Sequence, residues 1–419
     1  MKRRKTETAY TTAVETRHLA LATFSPLVPN SALNSCIIAS HSLIFVRARY
    51  PAKGRLQMIR YSHIQIACVL VAALASGTAL AQAPELGIDR SGLGNWDTAY
   101  KTKALQQIHA LHAKWFRDGV GWSTPDEVAK SVELVKRVNQ NGLKMLAIIG
   151  PSYKDFDPGY KNPNAGQDFQ SRCGWPQGSG ELSKVNLTTF SQHLHSVLSA
   201  VKDADLTIDA FEIGNEYDWI CFNGDVPNGH TASAAELKTL VHGYGEFLKI
   251  AAVAIKQYFP DAKIITFGIA HGDDRYDKPA HHISHPAATI IAGLRNVNGF
   301  NYRDNSQYHV DGYGTHVYAW SGDVATSVRS TLGEDASALT DKPLWVTEWG
   351  FLSHSAFPNK KGQTLDQGLQ EILDTFVSMS SSTRLGPVMY YSYNGWLSDP
   401  KTQEILPLAN VVSAYGAKH

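Results

Sequence analysis

Eight short apolar runs, separated by amphipathic helices over about 330 residues, predict an α/β fold: a single-domain (β/α)8 barrel. Two further observations support that class. Several runs are apolar almost throughout, as in Leu143, Met145, Leu146, Ala147, Ile148 and Ile149, which is how strands buried on both faces of a parallel sheet read. The segment Gly87-Ile88-Asp89-Arg90-Ser91-Gly92 also lacks the glycine-rich phosphate loop of an open, doubly wound sheet, and leads into no clean helix.

The strands are expected at 86–89, 114–117, 143–149, 208–213, 263–269, 311–318, 344–348 and 387–392. After the second strand, Thr124 stands as N-cap, Pro125 at the first helical position, and Asp126 and Glu127 in the first turn. Val128, Val132, Val135 and Val138 then recur at helical spacing until Gly142. Further helices are expected at 187–202, 234–259 (stopping before Pro260) and 364–380, with shorter ones at 286–296 and 324–332. No fixed-period repeat, low-complexity linker or second-domain boundary is visible.

Ahead of this array, Met58-Ile59-Arg60 opens a basic segment. Residues 64–75 are almost wholly apolar, and Ala79-Leu80-Ala81 places small residues at a cleavage site. Residues 58–81 therefore read as a secretory signal peptide cut after Ala81, since the run is shorter than the ~20 residues that span a bilayer. Residues 1–57 carry Lys2, Arg3, Arg4 and Lys5 but no sustained period. They are read as a non-native or disordered extension, with Met58 as the expected initiator. Residues 82–419 are the expected catalytic domain, secreted or periplasmic and monomeric.

The first 81 residues hold ten of the 39 Lys/Arg and two of the 38 Asp/Glu, so the remainder carries a net charge of −7. An acidic exported domain argues against nucleic acid and anionic membrane surfaces as partners. Cys36 and Cys68 leave with the leader. The pair that remains, Cys173 and Cys221, is expected to form one disulfide in an oxidising compartment.

In a barrel of this kind the chemistry sits at the C-terminal strand ends. Those ends read Trp115-Phe116-Arg117-Asp118-Gly119, Phe211-Glu212-Ile213-Gly214-Asn215-Glu216-Tyr217, Gly314-Thr315-His316-Val317-Tyr318, Leu344-Trp345-Val346-Thr347-Glu348-Trp349 and Tyr390-Tyr391-Ser392-Tyr393-Asn394-Gly395-Trp396. Glu216 and Glu348 thus close strands four and seven, on opposite sides of one mouth. Glycoside hydrolysis needs such a pair, one protonated and one ionised.

Asn-Glu after strand four with Glu after strand seven resembles the retaining barrel glycosidases of clan A, from about residue 84 to the end. The set is most similar to the family-five cellulase-like pattern, with a likeness to family thirty-nine in Phe-Glu-Ile-Gly-Asn-Glu. That resemblance implies a TIM-barrel hydrolase cleaving β-glycosidic bonds with retention. It implies Glu216 as acid/base and Glu348 as nucleophile. Arg117 would steady the nucleophile, Asn215 bind the sugar 2-hydroxyl, His316 and Tyr318 form the strand-six pair, and Trp396 serve as a sugar platform. The chain departs from many relatives at Tyr217, where they carry proline, and after strand three, where Gly150-Pro151-Ser152-Tyr153 lacks a histidine.

Several tryptophans lie near strand ends: Trp122, Trp175, Trp219, Trp320, Trp349 and Trp396. Trp349 and Trp396 are expected to stack on sugar, with Trp175 or Trp219 at more distant positions. The run His271-Gly272-Asp273-Asp274 with His281, His282 and His285 matches no zinc spacing and reads as a polar loop. No metal and no cofactor is expected, and no Gly-x-Ser-x-Gly elbow follows a strand. The partner expected is an oligosaccharide or polysaccharide. Two other readings are a sugar-binding barrel without catalysis, against which the two carboxylates and their partners argue, and a transglycosylase using the same residues.

Overall fold

The computed structural model describes residues 33–39, 42–48 and 82–419, apart from 122, 167–172, 174–177, 272–287, 295–309, 320–321, 352–356 and 360. Met1–Thr78 and Ala79–His419 are separate compact units. In the first unit, Leu33–Ala39 pairs antiparallel with Ser42–Ala48, Ile37 opposite Ile44. This is regular structure that the aperiodic reading of residues 1–57 did not anticipate. The signal-peptide segment 58–81 lies outside the described residues.

In the second unit eight strands close a parallel barrel in sequence order. They are β1 (Leu86–Asp89), β2 (Trp115–Gly119), β3 (Lys144–Ile149), β4 (Ala210–Asn215), β5 (Lys263–Gly268), β6 (Val310–Ala319), β7 (Leu344–Phe351) and β8 (Leu385–Tyr390). The helices are α1 (Thr98–Ala110), α2 (Pro125–Gln140), α3 (Leu187–Asp203), α4 (Ala234–Tyr258), α5 (Thr289–Gly293), α6 (Val324–Ala338), α7 (Leu365–Thr383) and α8 (Ala409–Lys418). The (β/α)8 class predicted from the alternation is the observed one.

Local chemistry starts the helices where the sequence predicts. Thr124 accepts from the Glu127 amide at 3.2 Å with Pro125 next in line, and Ser233 with Glu236 forms a capping box at the head of α4. Helices α1 and α8 were not anticipated. α1 is rich in Lys and Gln, so its apolar stripe is thin, yet Asp97 caps it and Ala104, Leu105 and Ile108 are buried.

Two apolar layers result. Inside the barrel floor sit Trp115, Leu146, Ala210, Ile265, Trp345 and Met389; the larger layer lies between sheet and helices. β7 carries an irregularity that matters for the site. Thr315 pairs with Val346, but His316 pairs with Glu348, leaving Thr347 as an extra residue. The bulge brings the Thr347 hydroxyl and the Glu348 carboxylate to the interior in succession.

Trp349 then faces the other way. Expected as a sugar platform, it is wholly buried in the outer layer, edge-on to Phe376 of α7 at 5.4 Å and to Tyr390 at 4.8 Å. Consecutive strand residues point to opposite faces, so a cleft-facing Glu348 sends its neighbour outward. Trp349→Ala is therefore expected to lower the unfolding free energy by about 3–5 kcal/mol in denaturant titration. A loss below about 1 kcal/mol would contradict this packing role.

Candidate active site

One buried cation organises the strand ends. Arg117 on β2 donates from Nε to Glu212 Oε2 at 2.6 Å and from one terminal nitrogen to Asp89 Oδ2 at 2.7 Å and Glu348 Oε1 at 2.6 Å. The other terminal nitrogen donates to Asn215 Oδ1 at 2.7 Å. Guanidinium donors lie in one plane, so this fork fixes four acceptors from β1, β4 and β7. Glu212 is fixed a second time by the Thr347 hydroxyl at 2.7 Å, which closes a ring through the bulge.

Glu348 receives a second donor, the Tyr318 hydroxyl. Burial pushes its pKa up, but His316, Arg117 and the Tyr318 hydrogen bond outweigh that and hold it below the ordinary glutamate value. Glu216 moves the other way. Burial raises its pKa and Glu348 adds to the rise, against opposition from His316 and Arg117. The two carboxyls are thus driven apart, one toward the acid and one toward the anion.

Backbone geometry aims Glu216. Gly214 at φ 103° and Glu216 at φ 50° both lie in the left-handed region, and the Glu216 amide donates to Gly268 O at 3.0 Å. The carboxyl then meets His316 Nδ1 at 2.8 Å; the same nitrogen stands 3.6 Å from Glu348 Oε2. His316 fits because residue 268 is glycine: a Cβ there would overlap the imidazole. Burial alone would lower the His316 pKa, but Glu348 and then Glu216 hold it above the ordinary value. One oxygen of Glu216, one of Glu348 and a ring nitrogen of His316 lie within 4.8 Å of one another. These are metal-capable donors, but a cation among them would stand beside the Arg117 guanidinium that already neutralises Glu348.

The pair opens into a cleft of about 800 Å³ lined by Asn215, Tyr318, Tyr391, Trp219, Phe222 and Trp396 among others. A hollow of about 910 Å³ between α2 and α3 lies on the outer surface, with Glu133 as the single carboxylate among its described lining residues. Of the residues singled out in the sequence, Arg117, Asn215, Glu216, His316, Tyr318 and Glu348 converge, Trp396 and Trp219 line the cleft, and Trp349 does not reach it. Trp122, Trp175 and Trp320 lie outside the described residues. Cys173 and Cys221 form the expected disulfide, joining the loops after β3 and β4. His271 pairs with Asp335 at 2.8 Å, and the remaining histidines of that run fall outside the described residues.

Sequence reasoning gave no role to Asp89, Glu212, Asp118 or Thr347. A charged residue inside an apolar strand run was the available signal for the first three, since such a group is seldom buried without a partner.

No protein-family model and no curated protein matches the chain. Solved structures do. The AHE enzyme from Alicyclobacillus herbarius superposes with a TM-score of 0.51 at 12% identity, over 81% of this chain and 98% of that one. An exo-β-1,4-mannosidase from Opitutaceae bacterium strain TAV5 gives 0.50 at 12% identity, over 81% of this chain but only 61% of its own length. The chain shares with these enzymes the closed eight-stranded parallel barrel. At this identity the likeness concerns the fold and does not name what is cut.

Asp118 supplies a test of the site's wall. Its carboxylate accepts from the Gly92, Gly119 and Gly94 amides at 2.6, 2.8 and 3.3 Å, tying the β1 loop to β2. Burial, then the neighbouring Asp89, pushes its pKa from 3.8 to about 7, against those amides. On raising the pH the unfolded chain loses this proton first. The stability contribution is therefore complete below 3.8 and is lost as pH rises through about 7. Asp118→Asn should make the decline in denaturation midpoint from pH 4 to pH 7 shallower than in the wild type. Identical slopes would contradict the assignment.

Proposed function

We propose that the chain is an exported retaining glycoside hydrolase that cleaves β-glycosidic bonds in an oligosaccharide or polysaccharide. Glu348 acts as nucleophile and Glu216 as acid/base. The observation that carries this reading is the closeness of the carboxylates, one oxygen of each within 4.8 Å. A separation of roughly 5–5.5 Å suits direct attack, whereas roughly 6.5–9.5 Å is needed to seat a water for inversion. The mannosidase with which the chain shares its fold fits the reading.

In the first step Glu348 bonds to the anomeric carbon while Glu216 passes its proton to the departing glycosidic oxygen. In the second, Glu216 takes a proton from water, the water oxygen bonds to the anomeric carbon, and Glu348 leaves. Arg117 and Tyr318 keep Glu348 ionised and oriented for attack. Their hydrogen bonds also stabilise it again as a leaving group. Trp396, half-buried in the cleft wall, offers an aromatic face for the ring.

The residue range 58–81 is the proposed export signal. The disulfide fits an oxidising compartment, and among the described residues no helix is long and apolar enough to cross a membrane.

Residues 82–419 should release reducing sugar from at least one member of a panel of β-glucan, mannan, xylan and galactan. Proton NMR of the first product should show the β-anomer before mutarotation. Glu216→Gln should slow turnover of the natural glycan roughly 10²–10⁴-fold, and Glu348→Gln should abolish it. First release of the α-anomer, or full activity in Glu348→Gln, would refute the double displacement.

A further inference from the structure

Beside the catalytic cleft, and sharing Ile148, Asn215 and Phe222 with it, a second chamber of about 460 Å³ opens under the loop after β3. Its size falls within the roughly 300–1,000 Å³ of ligand pockets. Its walls combine aromatic faces with backbone: Tyr153, Phe156 and Phe222 against Ser152 and the run Gly178-Ser179-Gly180. Tyr153 is 55% exposed, so its ring is accessible to a ligand from the chamber wall.

The chamber is held in shape by its surroundings. The Tyr153 hydroxyl donates to Gly178 O, which fixes the ring. Asn162 Nδ2 donates to Ser179 O at 2.9 Å, the Gly224 amide donates to Gly180 O at 3.0 Å, and the Ser179 hydroxyl donates to Cys221 O. The Cys173–Cys221 disulfide ties the same two loops together. A preformed wall binds without first paying an ordering cost.

Asn215 stands where the two spaces meet. Arg117 can only donate, so the Asn215 atom that it touches is the carbonyl oxygen, and the amide nitrogen remains as a donor at the boundary. No charged residue is among the described residues lining the chamber. A carboxylated or sulfated sugar would lose water there with no counter-charge, whereas a neutral ring can stack and accept.

We propose that this chamber is a second sugar subsite, taking a neutral pyranose unit of the same glycan whose neighbouring ring lies between Glu216 and Glu348. The proposal rests on the glycosidase reading above. It makes the enzyme one that grips at least two consecutive units, so neutral oligosaccharides are cleaved in preference to simple aryl monosaccharides.

The test uses the full chain, with cello-, manno- and xylotetraose and the corresponding p-nitrophenyl β-monosaccharides. The quantity read is the ratio of kcat/KM for the tetrasaccharide to kcat/KM for the aryl glycoside. Tyr153→Ala should lower it roughly tenfold, the loss of about one stacking contact, chiefly through KM. Tyr153→Phe, which keeps the ring, should retain most of it. A ratio unchanged in Tyr153→Ala would overturn the subsite while leaving the glycosidase reading intact. Cleavage of β-1,4-linked tetramannuronic acid as fast as mannotetraose would overturn its neutral character. Hydrolysis of none of these substrates, nor of the polysaccharide panel, would remove both proposals together.

Discussion

Everything at the mouth of this barrel depends on how a single guanidinium is neutralised. Arg117 is wholly buried, and a guanidinium without partners in that position would be strongly destabilising, because it keeps its charge. Three carboxylates and one amide surround it, from β1, β4 and β7. Burial works against its proton, but Glu212, Glu348 and Asp89 outweigh that and hold the proton more tightly than usual. The excess of acid over base has a consequence in Asp89, whose pKa burial pushes up to about 6, with Glu348 adding to the rise and Arg117 opposing it. Lysine could not replace this fork: a point charge on a flexible stem cannot set four acceptors in one plane.

The backbone does the remaining positioning through three irregularities. Left-handed φ at Gly214 and Glu216 turns the acid toward His316, at a cost of about 1–2 kcal/mol for a residue with a Cβ. Gly268 leaves the space the imidazole fills. The bulge at Thr347 lets consecutive residues serve the interior, one bracing Glu212 and the next facing the cleft. Regular strand geometry would deliver only one of those two side chains inward.

These irregularities also mark what was legible in the sequence. Strand and helix alternation, with its caps and prolines, was written in hydrophobic period and turn chemistry, so the barrel could be read directly. The two glutamates could be read because barrel topology puts strand ends at one mouth. The supporting carboxylates Asp89 and Glu212 were visible as charges in apolar runs, but their shared partner is a matter of three-dimensional proximity. Trp349 was misread as a platform although strand alternation pointed the other way. α1 escaped notice because only three of its four buried residues, Ala104, Leu105 and Ile108, are apolar, the fourth being Lys101. Tyr153, noted in the sequence only for the histidine its loop lacks, walls a chamber that shares Ile148, Asn215 and Phe222 with the cleft.

A pair of carboxyls driven to opposite protonation states, with one oxygen of each within 4.8 Å, lies in a cleft walled by Tyr391, Trp219, Phe222 and Trp396. The central claim is that Glu348 forms a covalent bond to the sugar during turnover. The most direct measurement is intact-protein and peptide mass spectrometry after incubation with 2,4-dinitrophenyl 2-deoxy-2-fluoro-β-glucoside and the corresponding mannoside, which form the intermediate faster than they release it. A single added fluoroglycosyl group is expected on the peptide containing Glu348, absent in Glu348→Gln. An adduct on another residue, or hydrolysis of glycans with inversion and no adduct, would contradict it.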